Sequence, residues 1–242
     1  MRRTFSTFLT TVLASAVISQ SSSPELVPNG GFEALSGEPK TYDQLPVAEG
    51  WKNVTIGFSE VFSRSAPAKT VGIPANDYGT QEPKEGEHYA GFFAWKDDQR
   101  RSLTAGEDDF VEGWNAYSEY LIVALNSPLE EGKEYEVSFW VALSGNSDRA
   151  VSGLGAYFGP EDLHFNHRRF LDLKPQVSVD GVLGEKNSWV EVKGTFVADG
   201  GEAYLTIGTF PAAGFDSKKL VEGPDNQYAY YYADGISVRL LK

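Results

Sequence analysis

The residues best placed to do chemistry are a handful of aromatic rings set among charges. The stretch "AWKDDQRRSLTAGEDDFVEGWNAY" places Trp95, Trp114 and Tyr117 beside Lys96, Arg100, Arg101 and Asn115. Flat apolar rings next to polar groups suit a sugar. The ring stacks on the apolar face of a pyranose, and the polar groups take its hydroxyls. A further ring, Trp140 in "KEYEVSFWVALS", points away from Phe139 and Val141, so it lines a groove or lies beneath a loop. Trp95, Trp114, Tyr117, Arg100 and Trp140 are the candidate ligand-binding residues.

Other chemistries leave weaker traces. His164 and His167 in "DLHFNHRRF" have Asp162 nearby, but Arg168 and Arg169 argue against a cation there. That segment is expected to be a polar loop closing one end of the fold. Glycoside hydrolysis needs two carboxylates at a set separation, and among 34 acidic residues some pair always qualifies. The chain has no Gly-x-Ser-x-Gly elbow, no phosphate-binding glycine loop ending in Lys-Ser/Thr, no His-Glu-x-x-His and no cysteine nucleophile. Non-catalytic binding is therefore expected, with a glycan-active hydrolase kept as an alternative. Asn53-Val54-Thr55 is a glycosylation sequon, which carries little weight if the source is bacterial.

The elements that must position these rings are strands. Tyr135, Val137, Phe139, Val141 and Leu143 alternate with Glu134, Glu136, Ser138, Trp140 and Ala142, the pattern of a half-buried strand. Val190, Val192 and Phe196 share one face of "SWVEVKGTFVA", and Ala203, Leu205 and Ile207 one face of "EAYLTIGTF". Turn signals such as Glu131-Gly132-Lys133, Asp180-Gly181 and Asp199-Gly200-Gly201 separate the runs. No long amphipathic helix is evident. Many short strands with Gly and Asp between them predict an all-β, antiparallel β-sandwich of jelly-roll type. Two segments are too polar for plain strands and are expected to be long loops, roughly 94–116 and 159–186.

Composition sets the compartment. Met1-Arg2-Arg3, an uncharged apolar run from Thr4 to Ile18, and a small polar stretch after it have the layout of a secretory signal peptide over residues 1–20. One sandwich domain is expected over 25–242, with no membrane span in the mature chain. The 34 acidic residues outnumber 21 basic ones for a net charge of −13, a surface that repels nucleic acid and anionic lipid. With no cysteine, an exported chain is held by its core, or by a metal.

The chain opens with "LVPNGGFE" and closes with "YAYYYADGISVRLLK", and in a sandwich the first and last strands often lie side by side. Together with Trp51 and "PLEEGKEYEVSFWVAL", these segments resemble the carbohydrate-binding-module jelly rolls of the galactose-binding-like superfamily, over almost the whole mature chain. The stretches "GTQEPKEGEHYAGF", "GLGAYF" and "GGEAYLTIGTF" are also similar to the N-terminal β-sandwich domain of exported cell-surface proteins of Gram-negative bacteria. The resemblance implies a polysaccharide or cell-surface glycan as partner. The alternative is a structural or adhesion role contacting other envelope proteins, in an extracellular, cell-surface or periplasmic setting. It also implies a structural calcium ion shared by the opening Glu and the closing Asp, here Glu33 and Asp234, with a backbone carbonyl near Gly31. The family usually carries a second carboxylate or amide after that Asp, where this chain has Gly235. Trp51 is implied to be a packing residue.

Overall fold

The computed structural model describes residues 23–101, 110–221 and 228–241, with side chains between 97 and 116 outside that description. The leader at 1–20 therefore lies outside the described residues. The strands are β1 (Trp51–Asn53), β2 (Glu60–Ser63), β3 (Ala75–Asn76), β4 (Gly79–Thr80), β5 (His88–Arg101), β6 (Phe110–Tyr117), β7 (Leu121–Ala124), β8 (Glu134–Leu143), β9 (Arg149–Val151), β10 (Leu154–Gly159), β11 (Val177–Ser178), β12 (Val190–Val197), β13 (Tyr204–Thr209), β14 (Ser217–Lys219) and β15 (Tyr228–Leu240). Five of them form a sheet in the order β1-β7-β13-β10-β11. Six form a second sheet, β12-β8-β15-β5-β2 with β6 also paired to β5. Every pairing between two of these strands is antiparallel, and the two sheets pack as a jelly-roll β-sandwich.

Alternation explains the core. Tyr135, Val137, Phe139, Val141 and Leu143 all point inward from β8, as their spacing predicts, and meet Leu121, Val123, Leu205 and Ile207 from the facing sheet. Of the two polar segments expected to be loops, 159–186 is indeed mostly irregular. The first is not. β5 continues to Arg101 and β6 resumes at Phe110, so most of 94–116 is a strand pair. Polarity misled here because pairing of β5 with β6 satisfies backbone groups along their shared edge whatever the side chains are.

A second apolar cluster covers the outer face of the six-stranded sheet. Phe62, Tyr89, Phe93, Ala142, Tyr230 and Tyr232 are buried there beneath Val71, Ile73 and Tyr78 from residues 64–80. This explains "YAYYYA" in β15. Tyr231 fills the inner core while Tyr230 and Tyr232 fill the outer cluster. Part of the sheet thus has two buried faces, and the chain itself occupies the area beside Tyr230.

Candidate functional site

The opening segment lies along β15. Leu26 N–H donates to the Val238 carbonyl and Ile236 N–H to the Gly30 carbonyl, both at 3.0 Å. Glu25 fixes the register. Its Oε1 accepts Val238 N–H at 2.8 Å, and its Oε2 accepts the Ser237 hydroxyl at 2.6 Å and Arg239 Nε at 3.2 Å. A Cβ at Gly30 would lie 1.9 Å from the Ile236 carbonyl oxygen, so only glycine lets the two backbones touch.

Glu33 and Asp234 do come to one place, as the sequence implied. Both carboxylates grip the turn between Gln81 and β5. Asp234 is fully buried, and its Oδ2 accepts Lys84 N–H at 2.9 Å and Glu85 N–H at 3.1 Å, while Oδ1 accepts Gly235 N–H at 2.7 Å. Glu33 Oε1 accepts Glu87 and His88 N–H at 2.8 and 3.0 Å, and Oε2 meets His88 Nδ1 at 2.9 Å. Burial pushes the Asp234 carboxyl up to about 7, against the N–H donors of Glu85, Gly235 and Lys84, which pull it down.

Those contacts test whether calcium fits. The ion needs six to eight oxygens with lone pairs directed at it. Here every oxygen of Glu33 and Asp234 already faces a nitrogen. Gly31 lies beside this pair, with a third carboxylate that sequence reasoning missed: Glu85 Oε1 is 3.5 Å from where a Gly31 Cβ would sit. Among the described residues, no group of three or more Asp, Glu, His or Cys side chains could hold an ion. As arranged, the junction fits a clamp satisfied by N–H groups and does not fit a calcium cage. Calorimetry of metal-stripped protein titrated with calcium checks this. The clamp predicts neither binding heat nor a rise in Tm, whereas saturable heat with a higher Tm would restore the ion.

A groove of 420 Å³ opens beside the clamp. Its polar lining includes Glu25, Glu85, Glu136, Ser138, Ser237 and Arg239. It follows from a β-bulge in β15 between Asp234 and Ser237, where the pairing with β8 slips. The same slip leaves Ser138 opposite Ser237 and Glu136 opposite Arg239. Trp140 lies next to Gly235, one of the lining residues, since a Cβ at Gly235 would lie 3.1 Å from its Cδ1. Trp140 is half-buried, and the Lys84 ammonium sits 3.8 Å from its ring centre.

The other predicted ring residues separate. Trp95 is not an exposed contact. It is half-buried and packs against the inner core. The cause is a register shift, because Tyr230 pairs with Phe93 while the adjacent Ala229 pairs with Trp95, which turns the indole to the other face. Tyr117 is half-buried too. Its hydroxyl donates to Glu119 at 2.5 Å, and its ring lies edge-on to Phe93. Arg100 and Trp114 fall on β5 and β6, where their side chains lie outside the described residues. His167 accepts Arg169 N–H at Nδ1, in keeping with a polar closing loop. Trp51 is buried, as implied, and donates to the Asn29 carbonyl at 2.9 Å.

Sequence reasoning also missed two buried acids. Glu60 Oε2 accepts the Tyr230 hydroxyl at 2.5 Å, and Oε1 accepts that of Tyr78 at 3.4 Å. Glu119 Oε2 accepts Phe93 N–H at 2.9 Å. Gly91, paired with Glu60, makes room for the first contact, since a Cβ there would lie 2.3 Å from the Tyr230 oxygen. The one available signal was a lone Glu in each of the apolar runs "SEVF" and "SEYLIVAL".

No protein-family model matches the chain, and no curated protein matches it. Solved structures do. The CBM22-1 xylan-binding domain from Paenibacillus barcinonensis covers 93% of this chain and 99% of its own, at 14% identity and a TM-score of 0.44. The K1 cleaved adhesin domain of Lys-gingipain from Porphyromonas gingivalis covers 86% and 95%, at 14% identity and a TM-score of 0.38. A CBM61 module solved with β-1,4-galactotriose covers 90% and 99%, at 13% identity and a TM-score of 0.37. These are likenesses of fold, each at a TM-score below 0.5.

Proposed function

We propose that this chain is an exported, non-catalytic binding domain that holds a glycan along the groove lined by Gly235, Ser237 and Arg239, next to Trp140. The observation that carries the reading is the groove itself. Carboxylates, hydroxyls and a guanidinium line it, and an indole lies next to its Gly235, the mix that a ring of hydroxyls with one apolar face requires. Export rests on the layout of residues 1–20. No helix among the described residues is long and apolar enough to cross a membrane. A protein-contact role calls for a broad apolar patch. Among the described residues the large exposed hydrophobics are Phe58, Val197 and Val221, on three separate segments.

The test is a panel of polysaccharides offered to the mature protein, with binding followed by pull-down and then calorimetry. Trp140→Ala should weaken binding of any retained polysaccharide at least about tenfold, or about 1.4 kcal/mol. Its Tm should fall only slightly, because the half-buried ring leaves no closed cavity. Retention of no polysaccharide at all sinks the reading. Unchanged affinity in Trp140→Ala moves the site elsewhere on the molecule.

A further inference from the structure

The outer aromatic cluster holds an acid pair that the groove does not use. Glu60 and Glu119 are 2% and 1% exposed. Three of the contacts that hold the segment over them, as far as Gln81, are to the tyrosines of the outer face. The Tyr78 ring stacks on Tyr230 with centres 3.7 Å apart and planes 9° apart. Asn76 accepts the Tyr232 hydroxyl at 2.8 Å, and the Gln81 carbonyl accepts that of Tyr89 at 3.1 Å. The first of these contacts rests on Glu60, which accepts hydroxyls from both stacked rings.

The charges facing the pair are mostly of the wrong sign. Glu60 faces Tyr78, Tyr230, Glu119 and Asp43, and Tyr42 and Asp77 lie around Tyr78. Glu119 faces Tyr117, Asp43 and Lys96. The Lys96 ammonium sits 4.8 Å from the Phe93 ring centre, and the Arg168 guanidinium lies 5.8 Å from that of Tyr117. Two buried carboxylates that feel each other cannot both ionise without strong cost.

We propose that the protonated Glu60–Glu119 pair is a latch that keeps residues 64–80 closed over the outer aromatic face, and that loss of its protons releases that flap. Burial pushes Glu119 up to about 8 and Glu60 well above the carboxylate range. Both groups bind protons more tightly folded than unfolded. The contribution of Glu119 is complete below the unfolded value and is lost as pH rises through about 8, and that of Glu60 is lost in the same direction. The flap gives way first because it is short and irregular, with two-residue strands β3 and β4 as its only regular structure among the described residues. Its release uncovers Phe62, Tyr89, Phe93, Tyr230 and Tyr232, a row of rings on one sheet face.

Hydrogen exchange of the mature protein between pH 6 and 9 tests this, after correction for the intrinsic rate. In wild type, protection of amides 71–80 should fall at least about tenfold between pH 7 and 9 while β7 and β8 keep theirs. Glu60→Gln has no proton to lose and should flatten the fall, and Glu119→Gln should do the same if the first variant folds poorly. Tyr78→Phe keeps the acids and should lower protection at every pH with the slope retained. Protection of 71–80 that does not change with pH overturns the latch. So does a wild-type slope in both Gln variants, or a loss of protection spread equally over all strands.

Discussion

Asp234→Ala should lower the unfolding free energy by about 2–4 kcal/mol. Asp234 is the shared acceptor of three backbone N–H groups, from Lys84, Glu85 and Gly235. A buried donor left without a partner costs about 1–3 kcal/mol. Lys84 and Glu85 are exposed, so water recovers part of that loss. The pH dependence separates the clamp from a simple cavity. The folded carboxyl is raised to about 7 from 3.8, so wild type binds that proton more tightly folded than unfolded. Wild type therefore loses stability between about pH 4 and pH 7 by a route the variant lacks. The gap between the two proteins should narrow over that range and stay flat above it. Urea melts at pH 5 and pH 8 measure both quantities. A variant within 0.5 kcal/mol of wild type, as about expected for an ordinary surface site, would mean the turn stands without its acid.

Gly30→Ala should cost about 3 kcal/mol or more, beyond the usual range for an added methyl group. The new Cβ would sit 1.9 Å from the Ile236 carbonyl oxygen, against backbone rather than a side chain that can turn aside. The opening segment would have to lift off β15. That breaks the Ile236-to-Gly30 hydrogen bond and strains the contacts of Glu25 with Ser237, Val238 and Arg239. Gly37→Ala is the control, since nothing lies within 4 Å of a Cβ there, and its effect should stay within about 0.5 kcal/mol. Denaturant midpoints for both variants decide the matter. Equal midpoints would show that the first and last segments do not touch as described. Loss of the groove beside Trp140 should accompany the Gly30→Ala effect, because Gly30 and Glu25 line it.

What the sequence determined by itself was whatever follows from period and chain ends. The alternation from Tyr135 to Leu143 fixed which face of β8 is core, because a strand's side chains take opposite faces in turn and only one set is apolar. The resemblance paired the two ends of the chain and so brought Glu33 and Asp234 to one junction. Tertiary structure decided what that junction is made of. Whether a carboxylate meets an ion or an N–H depends on where residues 84–88 return, some 50 residues after Glu33 and 150 before Asp234. It also decided where Trp95 points. In the sequence Trp95 reads as a ring among charges, yet the slip between Phe93 and Trp95 turned it inward, and a slip in register leaves no mark on composition. The burial of Glu60 and Glu119 was hidden for the same reason. A lone Glu in an apolar run is ordinary on a sheet face that meets water, and only the return of Tyr78 across that face makes it an acid sealed among tyrosines.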